Sequence, residues 1–425
     1  MIEGIWHILA KYPVATVSSL AFYALMLASF VPGWRDRVVS RFSHPISPEQ
    51  SFLSSMDALR GFAAAYVAFG HCWHWTYPVF YKTQHTAPFL GYAAKAVPMF
   101  ALLSGFLIYR SVRKIETRED VRYYIARRFF RIYPLYAISV FGCLAFGQLV
   151  SDYKEVGTLS YLVAELMMFR SLWFLQFANP VTWSLYVEVI FYVFLPVYFM
   201  FVGIKRILPV SIAMLVLLII ADQVPGREFQ LWKYFFMGII ASEAALLYQE
   251  QLRGMLGKVI LAVGLTLFVI DLYGPRTDWV AHAGLVKRNL AEYTIGLGLS
   301  FAMIAMAIPF VPTVGRLLDT FPIRFVGVIS YSVFIVHPFY LMVNFPELVL
   351  RKVGTQTEYF KTVEAMPDWY MPLLFAPGIF AWAAVTFLLI ERPALVWGSH
   401  LIRRQRERAR GTFDPTGPRV AAKTA

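Results

Sequence analysis

The chain has 425 residues, of which 58% are hydrophobic, 17% aromatic and only 15% charged. Soluble domains average roughly 25% charged and 45–50% apolar residues, so this composition argues against both a water-soluble fold and a disordered chain. The net charge is +13; in a membrane protein such an excess indicates basic cytoplasmic loops and an anionic ligand rather than a nucleic-acid partner.

Long apolar runs follow one another along the whole chain, and each is long enough for a membrane-spanning helix. They predict an all-α, polytopic membrane bundle of about eleven transmembrane helices. The predicted spans are Val14–Val31, Asp57–Phe80, Phe89–Tyr109, Ile132–Val150, Thr182–Gly203, Ile207–Ala221, Trp232–Tyr248, Leu256–Tyr273, Tyr293–Val311, Phe325–Phe345 and Met371–Ile390.

One further segment, Tyr161–Phe177, contains Glu165 and Arg170 and is interpreted as an interfacial or re-entrant helix. With the N-terminus outside and the C-terminus inside, 26 of the 39 basic residues fall on the cytoplasmic side. This bias agrees with the positive-inside rule, and it would be lost if Tyr161–Phe177 crossed the membrane. The two cysteines, Cys72 and Cys143, offer neither a disulfide framework nor a metal site.

Ionisable residues inside spans are functional candidates, because burial of a charge in hydrocarbon costs several kcal/mol. Four of them stand out, namely His71, His74, Glu188 and His337. Arg60 and His71 are eleven residues apart, close to three helical turns, so they share one face across a rise of roughly 16 Å. The pair predicts a catalytic His71 and an anion-binding Arg60, although an interhelical hydrogen bond and a topogenic arginine explain it as well.

A basic cluster precedes the fourth span, with Arg127, Arg128 and Arg131 three and four residues apart on one helix. Guanidinium groups bind phosphates in bidentate fashion, and nearby aromatic residues could stack on a base. Topogenic charge or contact with anionic lipid would also explain this cluster. Glu188 needs a histidine or arginine partner, and His337, which precedes Pro338, could simply bond a backbone carbonyl freed by the proline.

Six short segments then occur in a fixed order relative to the spans. They are Asp57–Gly61 with His71, Ser104–Phe106, Arg127–Pro134, Trp183–Glu188, Ser330–Pro338 and Glu391–Pro393. Their order resembles membrane-bound acyltransferase family 3, in its stand-alone form, from about Asp57 to Pro393. Tyr186 and Val189 depart from the family pattern at positions where serine and a second acidic residue are frequent.

The resemblance implies three regions: residues 1–56 with an extra N-terminal span, an acyltransferase domain of ten spans at 57–393, and a basic cytoplasmic tail at 394–425. It implies an O-acyltransferase of the bacterial inner membrane. Such an enzyme moves an acyl group, by default acetyl, from cytoplasmic acyl-CoA to a hydroxyl of a cell-surface or secreted glycan or lipid-linked sugar.

The implied site has His71 as general base or acyl carrier and Glu188 as its catalytic partner, without a metal. The implied acyl-CoA-binding residues are Arg60, Ser104, Arg127, Arg128, Arg131 and Tyr133. The acceptor, the acyl chain length and the oligomeric state are left open. The alternative function is a proton-coupled secondary transporter of a small anionic molecule, because buried histidines and a glutamate also suit such a carrier.

Overall fold

The computed structural model describes residues 10, 12–42, 50–76, 90–150, 159–168, 178–221, 227–273, 294–344 and 371–409. Every regular element within these ranges is helical, as predicted. The helices are α1 Pro13–Ala28, α2 Pro32–Arg41, α3 Gln50–Thr76, α4 Ala96–Val112, α5 Arg118–Val150, α6 Leu159–Leu166, α7 Thr182–Val202, α8 Ile207–Ile220, α9 Arg227–Leu247, α10 Gln249–Leu252, α11 Met255–Tyr273, α12 Ile295–Ala307, α13 Pro312–Leu318, α14 Phe321–Val328, α15 Ser330–Asn344, α16 Ala376–Thr386 and α17 Arg392–Ala409.

Four helical segments of the described chain are long and apolar enough to cross a membrane, and up to seven are if each sharply bent helix pair counts as one span. This supports an integral membrane protein but does not confirm the count of about eleven. The predicted span on α3 is not among the four. It contains Asp57, Arg60 and His71, and such polar groups lower the mean hydropathy of a helix that lines a site.

The chain bends sharply at the end of the first predicted span and within the tenth. α1 and α2 meet at 114°, and α14 and α15 meet at 70°. The eight-residue helix α6 covers the start of Tyr161–Phe177 and rises only about 12 Å, which is too short to cross a bilayer; residues 169–177 lie outside the described residues.

The helices pack into two adjoining apolar cores. The larger core joins α3, α4, α5, α7, α9 and α12, and the smaller one joins α1, α3, α14, α15 and α16. α3 contributes to both cores, so it lies at their boundary. Arg60 and His71 on this helix are therefore held between the two halves of the bundle.

Glycines set the closest helix approaches around α3 and α4. A Cβ atom on Gly61 would lie 2.7 Å from the backbone nitrogen of Gly327, so α3 and α14 touch backbone to backbone. Gly105 on α4 faces the Phe235 carbonyl of α9, and Gly238 faces the Leu102 carbonyl in return. These contacts fix α3 and α4 in position because small residues let helices in a membrane approach closely.

Candidate active site

Two histidines from different helices meet in the interior. His71 Nδ1 on α3 lies 2.7 Å from His337 Nε2 on α15, and the two rings are stacked with centroids 5.0 Å apart. His337 is completely buried, whereas His71 is half-buried. The sequence marked His337 as a functional candidate or a carbonyl-bonding residue, and the structure makes it the partner of His71 as well as a partner of the Val333 carbonyl.

The hydrogen bonds around His337 decide the tautomers of both neutral rings. His337 Nδ1 lies 3.1 Å from the carbonyl oxygen of Val333. A carbonyl only accepts, so Nδ1 carries the hydrogen of His337 and Nε2 carries its lone pair. His71 must then donate through Nδ1, which leaves the lone pair of the His71 ring on Nε2.

A carboxylate lies near the arginine end of α3. Glu188 Oε1 accepts hydrogen bonds from the hydroxyls of Ser104 on α4 and Tyr192 on its own helix, α7. Arg60 interacts electrostatically with Glu188, Asp57 and Arg131. Of the two roles predicted for Glu188, orienting His71 or balancing an arginine, these contacts support the second.

Arg128 is held by two aromatic rings between α5 and α7. Its guanidinium carbon lies 5.5 Å from the Tyr124 ring centroid and 5.4 Å from that of Tyr192, both within cation–π range. Its Nη2 donates to Ser111 Oγ at 3.1 Å, while its Nε is buried without a hydrogen-bond partner. The side chain is therefore fixed in orientation and retains one donor for an anion.

Two further residues that were predicted to bind the donor, Arg127 and Tyr133, also lie on α5. Arg127 is exposed, and burial of part of its side chain together with the charges of Arg406 and Arg128 lowers its pKa. Tyr133 stacks on Phe129 with centroids 4.8 Å apart and a 17° interplanar angle, and the Phe129 side chain is 48% exposed. This pair offers a flat aromatic surface beside the arginines.

Tyr192 was not singled out by the sequence reasoning, although it joins Glu188 to Arg128. Its spacing of four residues from Glu188 places both on one face of α7, and this spacing was the signal available in the sequence.

Two of the six ordered sequence segments also contact each other in the structure. Ser332 Oγ, in the segment Ser330–Pro338, donates to the buried Glu391 Oε2 at 2.6 Å, in the segment Glu391–Pro393.

The side chains therefore occupy two levels along α3. Glu188 and Arg131 interact with Arg60 at one level, and the His71–His337 pair lies three helical turns further along. This arrangement suits a ligand with an anionic end and a reactive group at some distance from it. Within the described residues, no group of three or more His, Cys, Asp or Glu side chains could hold a metal ion; His74 lies among the side chains that are not described.

Comparison with known proteins agrees with this chemistry. Over 81 residues the chain is 38% identical to a protein of Acidianus two-tailed virus named "Putative acetyltransferase ORF330", a match that covers 19% of this chain and 22% of the viral protein. The chain thus spans about a fifth of the length of this relative. No solved structure matches the chain.

The family comparison covers far more of the chain. Residues 53–392 match the acyltransferase domain of acyltransferase family 3. The match includes α3 with its histidine, the arginines of α5, and α15 with the second histidine. The chain therefore belongs to acyltransferase family 3.

Proposed function

We propose that this protein is an O-acetyltransferase, which moves the acetyl group of cytoplasmic acetyl-CoA to a hydroxyl of a cell-surface or secreted glycan or of a lipid-linked sugar. The observation that carries the proposal is the hydrogen bond from His71 to His337, which leaves a basic nitrogen on His71 at a distance from a cluster of arginines. An acyl-CoA has its phosphates and its thioester at opposite ends of a long, thin arm.

The donor enters at the arginine level in this proposal. Arg128 and Arg131, together with Arg60, bind its phosphates, since guanidinium groups pair with phosphate oxygens in a fixed geometry. Glu188 offsets part of their mutual repulsion before the donor arrives and keeps Arg60 in place. Ser104 then acts through Glu188, and Tyr133 with Phe129 provides a surface for the adenine ring.

Transfer begins with His71 as general base. Its Nε2 takes the proton of the acceptor hydroxyl as the hydroxyl oxygen attacks the thioester carbonyl carbon. The tetrahedral intermediate then collapses, the carbon–sulfur bond breaks, and the imidazolium gives the acceptor's proton to the departing CoA thiolate. The products are the acetyl ester and CoA with a free thiol.

His337 is a positioning residue in this sequence of steps. It accepts the Nδ1 hydrogen of His71 in both the neutral and the protonated state, so it holds the ring with Nε2 directed toward the reactants. The same nitrogen would be the nucleophile if an acetyl-histidine formed first. Rapid quenching with radiolabelled acetyl-CoA distinguishes the two routes, because only the second leaves label on the protein without an acceptor.

The test uses the purified full-length protein in lipid nanodiscs with acetyl-CoA and a panel of hydroxyl acceptors, and it measures release of the CoA thiol. We expect His71→Ala to abolish acceptor-dependent release while its affinity for CoA remains that of the wild type. Arg131→Ala is the matched counterpart and should weaken CoA binding instead. His71 supplies proton transfer, a contribution of about 10²–10⁴-fold, whereas Arg131 supplies only phosphate contacts.

Full activity of His71→Ala would remove the histidine from the mechanism. Movement of an anionic solute across the membrane without any release of CoA thiol would instead favour the transporter alternative, because a carrier leaves the thioester intact.

A further inference from the structure

The C-terminal helix packs against the cytoplasmic end of α5. The ring of Trp397 on α17 meets Phe130 edge to face at 5.1 Å, and Gly398 lets the two helices approach at the Phe130 ring. Two turns later, Arg406 Nη2 lies 3.2 Å from Asp120 Oδ1, and its guanidinium carbon lies 4.7 Å from the Tyr123 ring centroid. Two contacts thus hold Arg406 beside the first turns of α5.

α5 presents different arginines to its two neighbours. Tyr123, Arg127 and Phe130 are four and three residues apart and share the face toward α17. The face bearing Arg128 is turned toward the Tyr192 ring of α7. The basic cluster that the sequence shows as one patch is therefore divided into an inner part and an outer part, and Arg406 joins the outer part.

The outer part carries excess positive charge. Asp120 lies within electrostatic range of both Arg127 and Arg406, and its Oδ2 already accepts hydrogen bonds from the backbone nitrogen and hydroxyl of Thr117 at 3.1 and 2.8 Å. A second carboxylate lies nearby on α17, that of Glu407, and it pairs with Arg403 at 3.0 Å. One carboxylate thus faces two guanidinium groups, and an anion placed between them would be attracted by both.

The chemistry of CoA assigns an anion to each part. Its diphosphate is attached to the arm that carries the thioester, so it must stay with the inner arginines when the arm reaches toward His71. Its other phosphate is a monoester on the 3′-oxygen of the ribose, farther from the arm. That phosphate is a dianion at neutral pH and would lie outside the inner arginines.

We infer that Arg406 of the C-terminal helix, together with Arg127 of α5, binds the 3′-phosphate of the acyl-CoA donor. The inference rests on the proposed function and adds to it a residue from outside residues 53–392, the part of the chain that matches the family. It also gives the basic tail a role in donor recognition, in addition to its role in topology.

The first experiment needs no mutation. The full-length protein in nanodiscs is titrated calorimetrically with CoA and with 3′-dephospho-CoA, which differ only in this phosphate. We expect the wild type to bind CoA about tenfold more tightly, because a charge-assisted hydrogen bond to the phosphate contributes about one power of ten in affinity. The KM for acetyl-CoA should likewise be lower than the KM for acetyl-3′-dephospho-CoA.

Variants then assign the preference to the outer arginines. Arg406→Gln and Arg127→Gln should weaken binding of CoA while leaving binding of 3′-dephospho-CoA unchanged, so that the ratio of the two affinities falls toward one. Arg403→Gln is the matched control: Arg403 lies on the same helix, its side chain is 68% exposed, and it pairs within the helix to Glu407. It should keep the wild-type ratio.

The outcomes separate this inference from the proposed function. Tight but equal binding of the two ligands by the wild type would overturn the inference and leave the acyltransferase proposal standing; the pair would then serve another anion, such as a lipid headgroup. A parallel loss of both affinities in Arg406→Gln would show a purely structural role and also overturn it. Failure of the wild type to bind either ligand would contradict the proposed donor itself.

Discussion

At the scale of single residues, the hydrogen-bonding partner of a histidine determines which of its nitrogens can take a proton. The Val333 carbonyl fixes the hydrogen on Nδ1 of His337, and His337 in turn fixes the hydrogen on Nδ1 of His71. These two hydrogen bonds, which link the Val333 carbonyl, His337 and His71, thus leave Nε2 of His71 as the basic atom. This specification comes from α15, a helix far from α3 in the sequence.

Substitution of His337 tests the role of these linked hydrogen bonds. His337→Leu removes the acceptor for His71 Nδ1, so the His71 ring loses its fixed tautomer and orientation, and we expect kcat to fall on the order of 10²-fold. His337→Gln is the conservative comparison, because its side-chain oxygen can accept the same hydrogen. The measurement is kcat for CoA release, with the KM for acetyl-CoA expected to stay near the wild-type value.

Partial rescue by His337→Gln is the result that a merely structural role would not give. If both variants lose activity together with their apparent melting temperature, the histidine serves folding, and the assignment of Nε2 as the base loses its support.

At the scale of elements, close contacts between helix backbones set the position of each polar side chain. The α4–α9 crossing is made by Gly105 and Gly238, and it places the neighbouring Ser104 against Glu188 of α7. The α3–α14 crossing at Gly61 and Gly327 does the same for Arg60. Glycine is needed at these crossings because any Cβ atom would overlap a backbone atom of the neighbouring helix.

The α4–α9 crossing yields a stability prediction. In Gly105→Ala the new methyl group would overlap the Phe235 carbonyl, a backbone atom that cannot turn aside, so we expect a loss of about 1–3 kcal/mol of stability. The measurement is the apparent melting temperature in detergent, followed by tryptophan fluorescence.

Gly33→Ala on α2 is the control, because a Cβ atom there would meet nothing within 4 Å. If both variants melt with the wild type, the close approach of α4 and α9 is not required for stability, and the position of Ser104 beside Glu188 must have another cause.

At the scale of the whole molecule, the distribution of charge predicts the orientation in the membrane. The arginines near the start of α5 and those of α17 lie together, as the Arg406–Asp120 contact requires. They must therefore be on the same side of the membrane. The positive-inside rule predicts that this side is the cytoplasm, where acyl-CoA is available.

Cysteine labelling from either side of the membrane tests this orientation. The two native cysteines, Cys72 and Cys143, are buried, so they give little background. We expect Arg404→Cys on α17 to react with a membrane-impermeant maleimide only after the cytoplasmic side is opened. Lys154→Cys, in the loop that the charge pattern assigns to the outside, should react in intact cells. Reaction of Arg404→Cys in intact cells would show the opposite orientation, with the donor site on the side of the membrane that lacks acyl-CoA.

The amino-acid sequence by itself determined the helical class, the membrane setting and the residue types of the site. Apolar runs, helical spacing and clustered arginines are local properties, and they are visible without knowledge of which helices pack together. The number of spans was less accessible, because a helix that lines a polar site, such as α3, is less apolar than one that faces lipid.

Only the tertiary structure decided which of these residues meet. His71 and His337 are 266 residues apart in the sequence, Ser104 and Glu188 are 84 apart, and Asp120 and Arg406 are 286 apart. Spacing along one helix cannot show a contact between two helices, since that contact depends on how the helices cross. For this reason the sequence showed a histidine and a set of arginines, whereas the packed helices gave His71 its partner and divided the arginines into an inner and an outer group.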